Sequence, residues 1–403
     1  MRKTAQALRW AWAGLGLGLS PLYFMQAPSI SLFKLQLGLT EFGHWLAVPS
    51  LLLALWPTKK AKLARGLCAL AIFLYLGPAL RAWALAPSLE RSTEAAWPVT
   101  PSAPTPAFSW SRLFRDDPPG PSVQSEDKVF DAANGLSLTC WQVSSSVPVS
   151  GPGRPFVLVI YGGGWDNGQR DDFPDWDVAL AREGYVVLDV DYRLAPAHPW
   201  PAQREDIQHA LQCAHDNAKA WNLDPTRGAL LGRSAGAQLA LATAYLQTSG
   251  PAAIKAVASF YGPADLFFAY QYGKPDDILA SLDLLKNFCA GTPESAKAAY
   301  QEASPYFHVS SNTPPTLLIH GDIDALVWSK QSERLNAVLQ SAGRPHQFVE
   351  LPWATHAFDY NFKGPSGQLA WYALQRFLAS TLTAPQQKTG RPHGRPVIDP
   401  PPL

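Results

Sequence analysis

The pentapeptide Gly-Arg-Ser-Ala-Gly at residues 232–236 constrains the fold of this chain more than any other feature. Residues 228–231 before it predict a short buried strand, and residues 238–246 after it predict a helix packed by small side chains. A serine on a sharp turn between a strand and a helix projects its hydroxyl from the backbone, and small neighbours avoid a clash there. The bare pattern arises by chance in roughly one chain in ten of this length, since glycine makes up about 7% of residues. The flanking elements make it specific, and Ser234 is the candidate nucleophile.

A second glycine-rich turn predicts a site that stabilises negative charge. The apolar run at residues 155–160 predicts a strand buried on both faces, and it leads into Tyr-Gly-Gly-Gly-Trp at residues 161–165. Backbone N–H groups left uncovered by glycines can point at an oxyanion, and each contributes about 3–4 kcal/mol to acyl transfer. We expect the N–H groups of Gly163, Gly164 and Ala235 to form such an oxyanion hole. A phosphate-binding turn is the alternative, but no lysine, serine or threonine follows in P-loop spacing.

Two more strand ends offer a base and an acid. Residues 316–321 predict a buried strand followed by Asp322 and Asp324, and residues 346–351 predict a strand that leads to His356. The order Ser234, Asp324, His356, each after a strand, is the chain order of an α/β-hydrolase triad. Asp322 competes with Asp324 for the acid role. The histidines in less suitable places are His320 in a strand end, His209 and His215 on a scaffold helix, His44 in an apolar segment and His393 in a Pro-rich tail.

Several of these segments resemble one family of esterases. The turn at 161–165 is similar to the His-Gly-Gly-Gly-Trp signature of hormone-sensitive-lipase-like esterases and their bacterial and fungal feruloyl and acetylxylan esterase-like relatives. Residues 191–196 resemble the family's Asp-Tyr-Arg-Leu-Ala-Pro stretch, with Asp206 in the position of its helix acid. Residues 304–321 are similar to the segment before the acid in the feruloyl-esterase-like branch. There the acid is the second aspartate of His-Gly-Asp-x-Asp, which selects Asp324. The resemblance covers roughly residues 125–382.

The chain departs from the family pattern at three positions. Tyr161 replaces the histidine that opens the glycine run and orders the oxyanion loop; a tyrosine fills that volume and offers one hydrogen bond, so we expect activity to survive. Arg233 stands where the lipase-like branch usually carries an acid, which favours the feruloyl-esterase-like branch. Ala357 replaces the usual glycine after the histidine, a minor change.

The resemblance implies an α/β-hydrolase fold, with a mostly parallel sheet, helices on both faces and a small cap at about residues 265–303. Aromatic residues in that cap predict a pocket suited to apolar or aromatic groups, namely Phe267, Phe268, Tyr270, Tyr272 and Phe288. The implied activity is that of a serine carboxylesterase, which hydrolyses esters through a covalent acyl-enzyme and needs no metal or nucleotide cofactor. The alternatives are a deacylase or acyltransferase acting on envelope lipid or glycan with the same triad, a prolyl-oligopeptidase-type serine peptidase, and a catalytically silent binding module.

Residues 1–86 differ from the remainder and predict a membrane region. Three apolar stretches at 10–24, 42–56 and 66–80 lie near the lower edge of the about 17–25 residues that span a bilayer. Basic residues precede the first stretch and separate the second from the third, which by the positive-inside rule places both positions in the cytoplasm. We therefore expect a multi-pass anchor of about three helices that holds the hydrolase outside, in the periplasm if the source is bacterial. A signal peptide and a soluble helical cap on the hydrolase are the alternatives.

The remaining segments predict connections and surfaces. Residues 87–124 are Pro-rich and predict an extended linker, the hydrolase occupies 125–383 and begins with a hairpin around Asn134-Gly135, and the Pro-rich residues 384–403 predict a disordered tail. The net charge of +1, with 16% charged residues, gives no basic face for nucleic acid. The expected partners are an ester substrate and membrane lipid, and the oligomeric state is left open.

Overall fold

One eight-stranded sheet organises the catalytic part of the chain, with strand order β1-β2-β4-β3-β5-β6-β7-β8. The computed structural model describes residues 2–55, 62–99, 105–116, 120–144, 153–247 and 254–382. β1 and β2 pair antiparallel, β2 meets β4 antiparallel, and every pair from β4 to β8 is parallel. The strands are β1 Val123–Asp131, β2 Leu136–Val143, β3 Arg154–Ile160, β4 Val186–Val190, β5 Leu223–Arg233, β6 Ile254–Phe260, β7 Thr316–Gly321 and β8 His346–Leu351.

Helices cover both faces of the sheet, so the mostly parallel, doubly covered sheet expected from the resemblance is confirmed. On one face α4 and α11 bury apolar residues against the sheet, and on the other α5, α6 and α10 do so. The helices that cover the sheet are α4 Pro174–Arg182, α5 Ala202–Asp216, α6 Ala235–Tyr245, α10 Lys330–Ser341 and α11 Pro365–Leu382. The segment predicted as a cap holds α7 Leu266–Tyr272, α8 Ser281–Cys289 and α9 Lys297–Ala303.

The register of the sheet brings the predicted motifs to one edge. Ile160 at the end of β3 pairs with Gly232 near the end of β5, so the glycine turn lies beside the serine. Phe260 at the end of β6 pairs with Ile319 of β7, and Gly321 pairs with Leu351 at the end of β8. Because parallel strands end together at their carboxyl edge, the segments after β3, β5, β7 and β8 meet there.

The N-terminal region forms three helices that pack on each other and on the catalytic domain, α1 Arg2–Leu19, α2 Ile30–Leu55 and α3 Lys62–Ala96. Within the described residues, two helices are long and apolar enough to cross a membrane: residues 30–55 and 65–96. The first predicted stretch, residues 10–24, lies partly in α1, a helix of 18 residues that does not meet this test. In the most apolar stretches of the other two helices, 39% and 33% is buried, so most of these stretches lies outside the protein core.

The linker expected from residue 87 begins later than predicted, since α3 continues through Pro87 to Ala96. Packing explains the difference: Ala86 and Leu89 are buried in the core that α11 also lines, and the Trp97 ring lies 4.8 Å from that of Phe377. Tertiary contacts thus extend a helix that its prolines alone would disfavour. Residues 100–104 and 117–119 of the linker, and the predicted disordered tail at 384–403, lie outside the described residues.

Candidate active site

Ser234 occupies a strained turn between β5 and α6. Its backbone has φ 53° and ψ −121°, a conformation that costs a non-glycine residue on the order of 1–3 kcal/mol. Its N–H donates to the carbonyl of Phe260 on the adjacent strand, at 2.9 Å. Two residues on, a Cβ at Gly236 would lie 2.2 Å from the carbonyl oxygens of Ile160 and Tyr161. Only glycine permits this approach of α6 to the end of β3, which explains why small residues surround the serine.

The predicted nucleophile, base and acid form one continuous hydrogen-bonded chain. Nε2 of His356 lies 2.9 Å from Oγ of Ser234, and Nδ1 of the same ring lies 2.7 Å from Oδ2 of Asp324. Both distances are within the reach that a nucleophile, base and orienting acid require. Asp322 is exposed, whereas Asp324 is fully buried, so the structure brings the second aspartate and not the first to His356.

The Asp324 carboxylate is held from both sides. Oδ1 accepts hydrogen bonds from the N–H groups of Leu326 and Val327, at 2.8 and 2.9 Å. Oδ2 faces Nε2 of His320 at 3.3 Å as well as His356. Burial alone would raise the pKa of Asp324, but His356 and hydrogen bonds from both histidines lower that pKa well below its usual range. Asp324 is therefore a carboxylate of fixed orientation, and His320 contributes to this orientation, a contact that the sequence did not predict.

The three predicted oxyanion donors line the cavity that contains Ser234. Within the described residues, the N–H groups of Gly163, Gly164 and Ala235 donate to no protein acceptor. Gly163 has φ 117°, and a Cβ there would lie 2.2 Å from the carbonyl oxygen of Asn167, so this turn requires glycine. A Cβ at Gly162 would lie 3.0 Å from Cβ of Ser234, which shows how closely the turn approaches the nucleophile. The arrangement can accept negative charge that develops beside Ser234.

Aromatic stacking fixes the glycine turn at both ends. The Tyr161 ring, in place of the family's histidine, stacks on Tyr192 with centroids 4.4 Å apart, and the Tyr192 hydroxyl donates to the Tyr161 carbonyl at 3.1 Å. Trp165 stacks on Phe288 at 4.3 Å and donates from Nε1 to Gln238 at 2.8 Å. Tyr161 therefore holds this end of the turn by stacking on Tyr192.

A buried network behind the triad was not predicted from the sequence. Asp359 accepts from Nε of Arg233 and from the hydroxyl of Tyr261, both at 2.5 Å. The Tyr261 ring lies 4.4 Å from the His356 ring, centroid to centroid. Burial and the neighbouring Asp359 raise the pKa of Tyr261 well above its usual value, so it stays a neutral donor. Asp359 follows His356 by three residues, which is the one sequence signal for this network.

Asp206 lies with the Asp-Tyr-Arg-Leu-Ala-Pro stretch and away from the triad. Its carboxylate accepts from the backbone N–H of Arg193 at 2.8 Å and from the guanidinium at 2.7 Å. Neither residue lines the active-site cavity. This pair ties α5 to the segment after β4 and supports the scaffold.

The cavity over Ser234 has a volume of about 990 Å³ and three walls. One is the glycine turn, and a second comes from the cap region, where Phe268 and Tyr272 face the cavity beside Trp328. The other cap aromatics are occupied elsewhere: Phe267 and Tyr270 pack on Tyr300, and Phe288 packs on Trp165. The third wall was not predicted and consists of Gln26, Ala27 and Pro28, from the connection between α1 and α2.

The fold and this site define an α/β-hydrolase, with a serine on a strand–helix turn, a histidine and a buried aspartate at the carboxyl edge of a mostly parallel sheet. Residues 147–339, a little under half of the chain, match the BD-FAE family model. The similar curated proteins include two esterases from Mycobacterium tuberculosis. Esterase LipQ is 31% identical over 226 residues, 53% of this chain and 52% of that protein. Esterase LipC is 31% identical over 241 residues, 56% of this chain and 58% of that protein.

Solved structures share the fold. The structure described as Bacterial Heroin Esterase matches with a TM-score of 0.56 and 24% identity, over 65% of this chain and 85% of that one. An esterase from Pyrobaculum calidifontis matches with a TM-score of 0.54 and 22% identity, over 75% of this chain and 99% of that one. The chain spans little more than half the length of the curated relatives it matches.

Proposed function

We propose that this protein is a membrane-anchored serine carboxylesterase. The chain of hydrogen bonds Asp324–His356–Ser234 carries this proposal; it opens onto a cavity beside three backbone N–H groups that donate to no acceptor in the described part of the chain. The names of the similar mycobacterial proteins, esterases and a probable carboxylic ester hydrolase, support the same bond type. The cap wall combines Phe268 and Tyr272, which suit an apolar acyl group, with charged residues that include Lys274 and Asp276.

The geometry supports a two-stage reaction. Oγ of Ser234 attacks the ester carbonyl while Nε2 of His356 takes the hydroxyl proton, and Asp324 stabilises the imidazolium. The carbonyl oxygen gains negative charge beside the N–H groups of Gly163, Gly164 and Ala235. The tetrahedral intermediate collapses, the C–O bond to the alcohol breaks, and His356 gives its proton to the leaving oxygen. Water, deprotonated by His356, then attacks the acyl-serine, and the carboxylic acid leaves as Ser234 regains its proton.

The membrane part of the proposal rests on the N-terminal helices. Exposed apolar side chains cover the two span-length helices. The connection between α1 and α2 contacts the catalytic domain, because Nε2 of Gln26 donates to the Asp324 carbonyl at 2.8 Å. That connection and the hydrolase therefore lie on the same side. The basic segment between α2 and α3 in the sequence lies at the other end of α2, which by the positive-inside rule is cytoplasmic. This orientation supports an active site on the outer side, in the periplasm if the source is bacterial.

Ester hydrolysis by the purified full-length protein tests the proposal. We expect turnover of p-nitrophenyl esters from acetate to octanoate, and a loss of at least about a thousandfold in kcat on Ser234→Ala. Ser259→Ala is the matched control, since Ser259 is a buried serine on the neighbouring strand whose hydroxyl has no hydrogen-bond partner among the described residues. A folded Ser234→Ala protein with wild-type turnover would exclude the esterase.

A further inference from the structure

His320, the penultimate residue of β7, is fully buried and contacts the acid loop, residues 322–329, which carries Asp324. Its Nε2 lies 2.9 Å from the carbonyl oxygen of Val327 and 3.3 Å from Oδ2 of Asp324. Val327 is itself bonded to the other carboxylate oxygen, since its N–H donates to Oδ1 of Asp324 at 2.9 Å. The His320 ring therefore holds the acid loop at two points, one on the carboxylate and one on the backbone.

The opposite side of the His320 ring is held by α10. Nδ1 of His320 lies 2.7 Å from Oγ of Ser332, and both side chains are buried. α10 begins directly after the acid loop, where the N–H of Ser332 donates to the carbonyl of Ser329 at 3.0 Å. The ring thus connects the end of β7, the acid loop and the first turn of α10, so its position is fixed by three elements of the scaffold.

The groups around the ring determine its tautomer. The Val327 carbonyl and the Asp324 carboxylate accept hydrogen bonds and cannot donate them, so Nε2 carries the proton that these two acceptors share. Nδ1 of the neutral ring is then an acceptor, and the Ser332 hydroxyl donates to it. His320 is therefore a neutral donor to the acid loop. The ring nitrogen that it presents to Asp324 is Nε2, whereas His356 presents Nδ1.

One carboxylate oxygen of Asp324 faces both histidines. Oδ2 lies 2.7 Å from Nδ1 of His356 and 3.3 Å from Nε2 of His320. The bond to His356 orients the imidazole that takes the proton of Ser234, and a displacement of about 1 Å in such a group can cost roughly a hundredfold in rate. His320 does not line the cavity, so it acts on the reaction through Asp324.

We propose, on the basis of the function above, that His320 is a positioning residue of the esterase. Its Nε2–H, held in place through Ser332, keeps Oδ2 of Asp324 where that oxygen orients His356. The two ring nitrogens have separable roles, because Nε2 contacts the acid loop and Nδ1 contacts only α10. Loss of the donor at Nε2 should therefore lower kcat and leave KM unchanged. A histidine that only filled core volume would show no such preference between its nitrogens.

Two amide substitutions in the full-length protein separate the nitrogens. His320→Gln places an amide N–H near the position of Nε2, whereas His320→Asn places its amide near Nδ1 and leaves the acid loop without the donor. With p-nitrophenyl acetate we expect kcat to be at least about tenfold lower in His320→Asn than in His320→Gln, with KM near the wild-type value in both.

The kcat of each variant is expressed per serine titrated to completion with a fluorophosphonate, so that an unfolded fraction does not count. His346→Asn is the matched control and should keep the wild-type kcat. His346 lies at the start of β8, at the other end of the strand from the triad, and its Nδ1 faces the carbonyl of Arg344.

Ser332→Ala tests the same contact by removing one hydroxyl group, and it decides the matter if neither His320 variant folds. We expect its kcat to fall about threefold, with KM unchanged, because the ring loses the bond that holds it against the acid loop. Equal kcat in His320→Gln and His320→Asn, or wild-type kcat in folded Ser332→Ala, overturns the inference; turnover that still depends on Ser234 then leaves the esterase intact. A wild-type protein without turnover that depends on Ser234 overturns both proposals.

Discussion

The side-chain amide of Gln26 donates a hydrogen bond to the backbone carbonyl of Asp324, joining residues 298 positions apart. This contact connects the N-terminal helices to the loop that carries Asp324, the proposed acid of the triad. A typical hydrogen bond makes a net contribution of about 0.5–1.5 kcal/mol. If the bond from Gln26 contributes this much to the position of the loop, its loss should lower the rate by roughly twofold to tenfold.

We expect Gln26→Ala to lower kcat for p-nitrophenyl acetate by that factor with little change in KM, because Gln26 positions the acid and does not contact the small ester. Gln26→Glu keeps the size but loses the donor, so it should be at least as slow as Gln26→Ala. Gln340→Ala, an exposed glutamine at the end of α10, is the control. A pure rise in KM with unchanged kcat would show that Gln26 acts only on binding.

The two aspartates after β7 make a matched pair for testing the acid. Asp324→Asn should lower kcat by about three to four orders of magnitude, because an amide cannot hold the same imidazole tautomer or stabilise the imidazolium. Asp322→Asn removes an exposed carboxylate two residues away and should leave kcat within about twofold. Steady-state kinetics on both folded variants checks this. Equal effects of the two substitutions would reject Asp324 as the acid.

The buried pair of Arg233 and Asp359 should be a stability determinant. Arg233→Met leaves the Asp359 carboxylate buried without its charged partner, which typically costs about 3–5 kcal/mol in the free energy of unfolding. In Arg233→Met with Asp359→Leu the unpaired charge is gone, so we expect part of that loss to be recovered. Lys330→Met, which breaks the exposed pair with Glu333, should change little. Denaturation of the detergent-solubilised variants measures the free energy of unfolding. A double variant no more stable than Arg233→Met would contradict the view that the unpaired Asp359 carboxylate causes the loss of stability.

A second buried carboxyl gives a pH-dependent prediction. Burial, opposed by Arg233, raises the pKa of Asp177 to about 6, and its neighbour Asp189 has a pKa raised in the same direction. A folded-state pKa above the ordinary value means that the stabilisation by this group is complete below about pH 4 and is lost as the pH rises through about 6.

Asp177→Asn removes this loss and should stabilise the protein at pH 8 by roughly 2 kcal/mol while changing its stability little at pH 4. Asp175→Asn removes an exposed carboxylate from the same helical turn and serves as the control. Thermal denaturation at the two pH values checks this. The opposite order, with the larger gain at pH 4, would contradict a raised pKa.

The sequence predicted those parts of the site that follow from short-range patterns. Ser234, the glycine turn, Asp324 and His356 each follow a buried strand, and parallel strands end together, so their meeting follows from the order of the elements. Gln26 and Tyr261 have no such signal, because their partners lie 298 and 98 positions away and the contacts depend on how whole elements pack. The same reason explains why α3 extends past Pro87. Its packing on α11 stabilises the helix there although proline disfavours a helix interior, and no local sequence pattern reveals this packing.

Labelling by a fluorophosphonate, followed by mass spectrometry of the peptides, tests the central claim most directly. An activated serine is phosphonylated at Oγ, so we predict one adduct on the peptide that contains Ser234, lost in Ser234→Ala and kept in Ser259→Ala. The adduct should form slowly or not at all in Asp324→Asn, since the base is no longer oriented. A folded wild-type protein that stays unlabelled at Ser234, or that carries its adduct on another serine, would contradict the assignment of this site.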